Sequence, residues 1–482
     1  MTPNQHAQTP LAKKAAALKR ELAEKIHAHR KAISDWTLEQ SRRAPPPFYS
    51  SVDLRDSGHK IVPVDSNLFP AGFNNICPED LRTAPPILRA QIEGLAVRYQ
   101  ISVPKKLLVI PESHTSNSWY IENLYYLTQL LETAGFEVRV GWMGGTPPSE
   151  LQTRDGAVRL VSATAKEIHA YPVHREERTL LAGDFRGDLI LLNNDFSSGY
   201  PTLLDQLEQP VVPSHQLGWH SRKKSTHFRH YNALAQEFAT LVGVDPWILH
   251  IGTEEVDQVN FNEDAGIDRV KASVDRILEQ TRKDYITRGI SQEPFVFVKN
   301  NSGTYGMGIM VVHSGEELEK LNRRTKNKMS VGKNKLPIQS VAVQEGVPTA
   351  TLVDRLAAEP VIYLAGCELI GGFLRTNTER GTEDNLNSQG MVFRKLCMTD
   401  LREAQEQEEE VDLQDEIPVL ELVYGAVARL SALAAGRELA ENDDSKVARS
   451  EEDAVNPNSI CPPPHASSTT SSKLSATPPS FV

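Results

Sequence analysis

The residues of this chain best suited to chemistry lie in PFVFVKNNSGTYGMGIMVV, residues 294–312. Residues 295–298, β-branched and aromatic, read as a buried strand that ends on Lys299. A polar loop carrying Ser302, Gly303, Gly306 and Gly308 then leads into a second apolar strand over 309–312. Glycine admits positive φ and close approach of the backbone, so successive amide N–H groups over 302–308 can converge on an anion while Lys299 supplies a fixed positive charge. This predicts a phosphate grip built as a flap between antiparallel strands; an ordinary hairpin with a glycine-rich turn is the alternative. Neither nucleotide-binding fingerprint fits, because GTYGMG runs into a strand where both require a helix, and no GK[ST] follows.

A second set of cations precedes the flap. His215, His220, Arg222, Lys223, Lys224, His227 and His230 crowd one segment whose second half has helical periodicity up to Gly243. No carboxylate or cysteine accompanies these histidines, so the cluster reads as a basic patch near phosphates rather than a zinc site. Lys224 opens that helix. Upstream, IVPVDSNLFPAGFNNI (61–76) holds Asp65, Asn67, Asn74 and Asn75 beside Phe69 and Phe73. This composition suits a small ligand bearing an amine and a carboxylate, and Asx-turn chemistry alone would also produce it.

These groups need elements to position them. A stretch over 11–40 places Leu11, Ala15, Leu18, Leu22, Ile26 and Ile33 at helical spacing, predicting one amphipathic helix that RRAPPP ends. From 105 the pattern becomes α/β: a strand, a helix stopped by Gly135, a second strand, then GDLILLNNDFSSG over 187–199. Strands separated by helices imply a parallel sheet with ligands at its carboxyl ends. Those ends carry Glu112, Ser113, His114, Asn117, Asn193, Asn194 and Asp195, each a site candidate or a cap. Past the flap come a helix at 315–328, a strand ending in Gln344, Glu345, Gly346 and Val347, and a hairpin turning at 365–368 on its way to Arg375. An Asn-rich loop, a strand and a last helix over 417–440 follow. The fold class is therefore α/β and α+β. The expected domains are an N-terminal helix (1–44), an α/β substrate domain (45–215), a second domain (216–440) and a disordered tail (441–482).

Composition narrows the function classes. Of the formal charge of −11, residues 401–482 account for −10, with six Lys and Arg against sixteen Asp and Glu. The rest is nearly neutral, which speaks against a nucleic-acid footprint. Apolar runs are strand-sized, giving no membrane span, and no apolar run follows the N-terminal Lys and Arg as a secretory signal would need. Four cysteines without CxxC or close spacing, Cys77, Cys367, Cys397 and Cys461, fit separate thiols in a reducing cytoplasm. The sequence carries no signal for oligomeric state.

Taken in order, a lysine-headed helix, a strand-lysine-glycine flap, a strand ending in Gln-Glu-Gly-Val and a hairpin leading to an arginine resemble the ATP-grasp ligases. More closely, VDSNLFPAGFNN, FVKNNSGTYGMG, VQEGV, ELIGGFLRTN and NLNSQGMVF look like the glutamate–cysteine ligase family of proteobacteria of the Thiobacillus type, over about residues 45–437. The resemblance implies a pre-ATP-grasp parallel-sheet domain followed by an ATP-grasp domain. It implies ATP-dependent joining of L-glutamate, through its γ-carboxylate, to L-cysteine by way of an acyl phosphate, the first step of glutathione synthesis, with Mg2+, or Mn2+ in its place. On that pattern Lys224 and Lys299 hold phosphates under the amides of Ser302, Gly303, Gly306 and Gly308, while Gln344, Glu345 and Val347 meet the adenosine. Arg375 stabilises the transferring group, and Asp65, Asn67, Asn74 and Asn75 with Arg375 hold an amino acid. The metal ligands that such enzymes place after a late helix, an acid followed by Glu-x-Asn, are missing there, which leaves Asp384, Asn385 and Asn387 as oxygen donors. A ligase for other substrates, or a non-catalytic nucleotide-binding protein, would share much of this order.

Overall fold

A computed structural model describes residues 10–112, 117–145, 151–197, 199–303, 308–331, 337–396 and 419–442. The predicted N-terminal helix is two, α1 (Pro10–Ala28) and α2 (Arg30–Arg43). At His29 the ring Nδ1 and the backbone N–H both take the carbonyl of Lys25, at 2.8 and 3.1 Å, and the chain changes direction. The turn has a use. α1 lies on the last helix, and α2 swings its Ile33, Thr37, Gln40 and Ser41 face onto α5 (Lys224–Val242).

Three sheets follow. The first is antiparallel, in the order β18 (Met391–Lys395), β17 (Glu368–Asn377), β16 (Leu356–Ala365), β1 (Tyr49–Asp56) and β2 (Ile61–Asn67), with β15 (Leu352–Val353) on β16. The expected boundary at 215/216 does not divide the strands this way: β1, with β2 on its other edge, pairs with a hairpin some three hundred residues later, Val52 opposite Ile362. Antiparallel pairing asks only for complementary edges and faces, and linear composition does not report which distant strand supplies them.

The second sheet bears out the predicted α/β pattern. β10 (Val211–Val212), β9 (Leu189–Asn193), β3 (Lys106–Pro111), β4 (Glu137–Trp142) and β6 (Glu167–Glu176) are parallel in that order. Beyond β6 run antiparallel β7 (Thr179–Ala182) and β8 (Phe185–Arg186), and β5 (Val158–Val161) also pairs β6. α3 (Pro78–Arg98) and α4 (Ser118–Thr133, capped by Asn117) share its core. The third sheet, β11 (Thr253–Asp257), β14 (Ser340–Glu345), β12 (Val296–Asn300) and β13 (Ile309–Val312), is antiparallel and rests on α6 (Ile267–Thr287). The helix expected at 315–328 is a 3-10 turn, Gly315–Lys320, and then α7 (Arg323–Ser330), because the Asn322 side chain accepts from Thr325 N at 2.9 Å and restarts the helix.

α8 (Val419–Asn442) is buried in the core behind the first sheet, against α5 and α1. It is the one described helix long and apolar enough to cross a membrane, with a mean hydropathy of 1.4, yet 78% of that stretch is buried within the protein. Burial on several sides accounts for its apolarity. The tail expected at 441–482 lies outside the described residues past Asn442. Cys77 and Cys367 are both in disulfides, and no described cysteine is free, unlike the separate thiols expected from spacing. Pairing depends on which Cβ atoms the fold brings within about 4 Å, which sequence separation does not carry.

Gly436 marks the tightest approach of α8 to the chain: a Cβ there would lie 2.4 Å from the carbonyl oxygen of Ala44 and 2.7 Å from that of Pro45. Gly436→Ala should therefore lower stability by about 1–3 kcal/mol despite the better helix propensity of alanine, read as a reduced urea midpoint.

Candidate active site

Strand register assembles the site. Pairing of Asp53 with Asp65 and of Ser51 with Asn67 puts these side chains on one face of β1 and β2, and Glu359 opposite Arg375 continues that face across β16 and β17. The charges interlock. Arg375 Nη1 donates to Asp53 Oδ2 at 2.5 Å and to Glu359 Oε1 at 2.7 Å, while Arg55 Nε donates to Glu359 Oε2 at 2.8 Å. The outer Arg55 nitrogens reach the carbonyls of Thr382 and Asp384 at 2.9 and 2.7 Å, drawing the 381–387 loop to the cleft.

The third sheet closes the other side. On β12, Val296 and Val298 point into the core against α6, so alternation turns Phe297 and Lys299 to the cleft. Asp53, Arg55, Asp65, Lys299, Glu359, Asn385 and Asn387 line it together. Lys299 Nζ donates to the carbonyl of Val64 at 3.0 Å and to Gln344 Oε1 at 2.6 Å. Burial, only partly answered by Asp65, lowers its pKa to about 7. Lys224, the first residue of α5, is ion-paired to Asp65 and sits 4.4 Å above the Trp219 ring. Burial pushes the Asp65 carboxyl up, but Lys224, Lys299 and Arg222 together hold it below its usual range. Burial likewise opposes the charge on Glu359, and Arg55 and Arg375 outweigh it; the Asp53 carboxyl is raised, with burial the largest cause.

The flap is anchored where the lysines meet. Lys224 N donates to Asn301 O at 2.8 Å, Ser225 N to Asn301 Oδ1 at 2.9 Å, and Ser302 Oγ to Arg222 O at 2.7 Å. β12 and β13 are antiparallel, Lys299 opposite Ile309, and Gly308 takes φ +63° where a Cβ would meet Ile338 at 2.7 Å. Gly306 lies outside the described residues.

Lys224, Lys299, Asp65, Arg375, Gln344, Asn385 and Asn387 are thus brought to one cleft, with Asn67 beside Ser51 on its floor. Other candidates go elsewhere. Glu345 faces the opposite side of its sheet, where Lys60 Nζ donates to both carboxylate oxygens at 2.6 and 2.8 Å and Gly252 N donates at 3.0 Å. Val347 packs in the main core. Asn74 and Asn75 form a short 3-10 helix, Phe73–Asn75, with Asn75 near Gly72 beside Tyr363 and Phe373. The carboxylate of Asp384 caps Gly381 N at 2.8 Å, and Asn385 Oδ1 accepts from Asn387 N at 3.1 Å. Asn193 is structural, its amide donating to the carbonyl of Pro70 at 2.9 Å. His215 and His220 stack on Tyr200, and Ser113 and His114 lie outside the described residues. Sequence reasoning missed Asp53, Arg55, Glu359 and Lys60. Asp53 and Arg55 lie in VDLRD, where charges alternate with apolar residues, but their pairing with Glu359 and Arg375 is set by strands far away in the chain.

The glutamate-cysteine ligase family profile, GshA, matches residues 23–439, from within α1 to the last turn of α8. The chain belongs to the glutamate–cysteine ligase family. A solved structure described as a gamma-glutamylcysteine synthetase from Methylobacillus flagellatus KT is 36% identical, with 92% of this chain and 100% of that one covered at a TM-score of 0.76. Also similar are D-alanyl-alanine synthetase A from Vibrio cholerae (12% identity, 68% and 80% covered, TM-score 0.29) and a glutathione synthetase-like effector from Globodera pallida (10%, 78% and 78%, 0.31). No curated protein matches it. This glutamate–cysteine ligase is an ATP-dependent enzyme of glutathione synthesis, a class that works with a divalent metal.

Phosphates bound beside Lys299 would favour its charged form, and their binding would then take up a proton. The sign follows: affinity for ATP falls as pH rises above about 7, by up to about tenfold per unit, until the pKa of the complex is reached. Calorimetric titration with ATP in buffers of different ionisation enthalpy should show proton uptake at pH 8 that is absent in Lys299→Met.

Proposed function

We propose that this ligase activates the γ-carboxylate of L-glutamate as an acyl phosphate in the cleft between the first and third sheets, where the amine of L-cysteine then displaces phosphate. A carboxylate is a poor acyl donor. An oxygen of the γ-carboxylate attacks the terminal phosphorus of ATP, and the bond to the bridging oxygen breaks to release ADP. The amine nitrogen then adds to the acyl carbon, loses a proton, and phosphate leaves with one former carboxylate oxygen. Such chemistry needs neutralised charge and fixed positions more than a covalent nucleophile. The observation that carries this reading is the buried facing of Lys299, Lys224, Arg55 and Arg375 with Asp53, Asp65 and Glu359.

On this reading Lys299 and Lys224 hold the phosphates, the flap amides of Ser302, Gly303 and Gly308 close over them, and Arg375 meets the transferring group. The cleft-facing Gln344 orients Lys299. Glu345 acts by fixing the strand end through Lys60, so that contact with adenosine falls to backbone groups near Val347. The antiparallel sheet that carries the flap, β11-β14-β12-β13, resting on α6, supports an ATP-grasp reading of this part of the chain. In place of the acid and Glu-x-Asn that related enzymes carry after a late helix, Asp53 on β1 and Asp65 and Asn67 on β2 offer oxygen donors on one face. The described residues contain no group of three or more His, Cys, Asp or Glu arranged to hold a metal. That is compatible with Mg2+, which binds through one or two carboxylates and completes its shell with phosphate oxygens and water. Asp53, Asp65 and Asn67 are placed to hold it, because they share the cleft face with Lys299, whereas the Asp384 carboxylate is turned to Gly381 N and only its backbone carbonyl meets Arg55. When bound, Mg2+ would neutralise phosphate charge beside Lys299. Asn75 and the 65–75 loop, one step along the face from Arg375, would hold an amino-acid substrate.

ADP release should require glutamate, ATP and a divalent metal together and should rise with cysteine across an amino-acid panel; release that ignores glutamate contradicts the substrate assignment. Lys299→Ala should lower kcat/KM by at least about 100-fold, and wild-type turnover in that variant would remove its phosphate role. Asp65→Asn should weaken Mn2+ binding in the presence of a non-hydrolysable ATP analogue, followed by the Mn2+ paramagnetic signal, whereas Asp384→Asn should leave it near wild type.

A further inference from the structure

Behind the cleft lies a polar cluster as buried as the core around it: Arg222, His227, Ser431 and Glu438, each no more than 2% exposed. Glu438, on α8, accepts from Arg222 Nε at 2.8 Å and Nη2 at 3.1 Å and is also bonded by His227 Nδ1; His227 Nε2 is 3.0 Å from Ser431 Oγ. A buried ion pair of this kind adds little net stability over an apolar replacement, because desolvation offsets the attraction. What it does supply is a fixed position for Arg222.

That position has consequences at the nucleotide site. Arg222 Nη1 donates to the carbonyl of Ser66 at 2.5 Å, next in the chain to Asp65, and its own carbonyl accepts from Ser302 Oγ at the foot of the flap at 2.7 Å. Two residues on is Lys224, paired with Asp65 and tied through its backbone N–H to Asn301. The guanidinium lies over Trp219, the same ring that carries Lys224. Arg222 therefore sits where the β2 end, the α5 start and the flap base meet, and Glu438 holds it there.

We propose that Glu438 is a positioning residue of the nucleotide site, acting through Arg222 to set Lys224 and the flap base at phosphate spacing. This rests on the assignment of the cleft to ATP. Glu438→Gln keeps the shape and loses the charge. In the full-length enzyme it should raise KM for ATP about tenfold while KM for glutamate stays within about twofold, as expected for lost binding of one substrate. Ser431→Ala, which removes only the outermost hydrogen bond, should raise KM for ATP about threefold and serves if Glu438→Gln does not fold. Glu441→Gln is the control, since Glu441 pairs with Arg229 and His230 across the same two helices near the surface and does not touch Arg222. An unchanged KM for ATP in a folded Glu438→Gln enzyme, an unchanged KM in Ser431→Ala, or an equal rise in Glu441→Gln would overturn the proposal. If instead the wild-type enzyme shows no ATP-dependent turnover, the assignment of the cleft fails and the role of Glu438 falls with it, an outcome distinct from an unchanged KM in the variants.

Discussion

The constraint on which the rest of the structure depends is that several cations are held out of water in one cleft. A buried cation without a partner is costly, and the chain answers with carboxylates at strand register: Asp53 and Glu359 for Arg375, Glu359 for Arg55, Asp65 for Lys224. Lys299 has only neutral acceptors, the Val64 carbonyl and the Gln344 amide, and burial lowers its pKa accordingly. The group with least compensation is thus the one that gains most from an incoming anion. Preorganisation of this kind places the electrostatic cost in folding rather than in the chemical step.

Two of the three sheets and the start of α5 build that cleft, and no contiguous half of the chain contains it. β1 and β2 bring Asp53, Arg55 and Asp65; β16 and β17 bring Glu359 and Arg375; β12 brings Lys299; the start of α5 brings Lys224. α8 binds these together from behind. Its apolar faces pack on α1, α5 and the first sheet, while Glu438 reaches the loop ahead of α5. The last described helix thus reaches the strands that line the cleft through the Arg222–Glu438 pair.

What could be read from the sequence follows the range of the interactions concerned. The flap strands, the parallel α/β segment, the hairpin turn and the lysine-headed helix were legible, because local periodicity and glycine placement determine them. Lys224, Lys299, Asp65 and Arg375, singled out in the sequence, do meet in one cleft. The pairing of β1 with β16 was not, since register between strands three hundred residues apart leaves no local mark, and with it went Asp53, Arg55 and Glu359. Glu345 was misread for a related reason: one step along a strand turns a side chain to the other face, and there Lys60 takes it. The break at His29 escaped because no proline or glycine announces it.

The central claim is that this cleft makes a γ-glutamyl phosphate from the terminal phosphoryl group of ATP. It is tested most directly by turnover of L-glutamate carrying 18O in its γ-carboxylate, followed by mass spectrometry of the products. The account predicts one 18O atom in each inorganic phosphate released, with ADP unlabelled. Unlabelled phosphate, or label appearing in AMP, would contradict it.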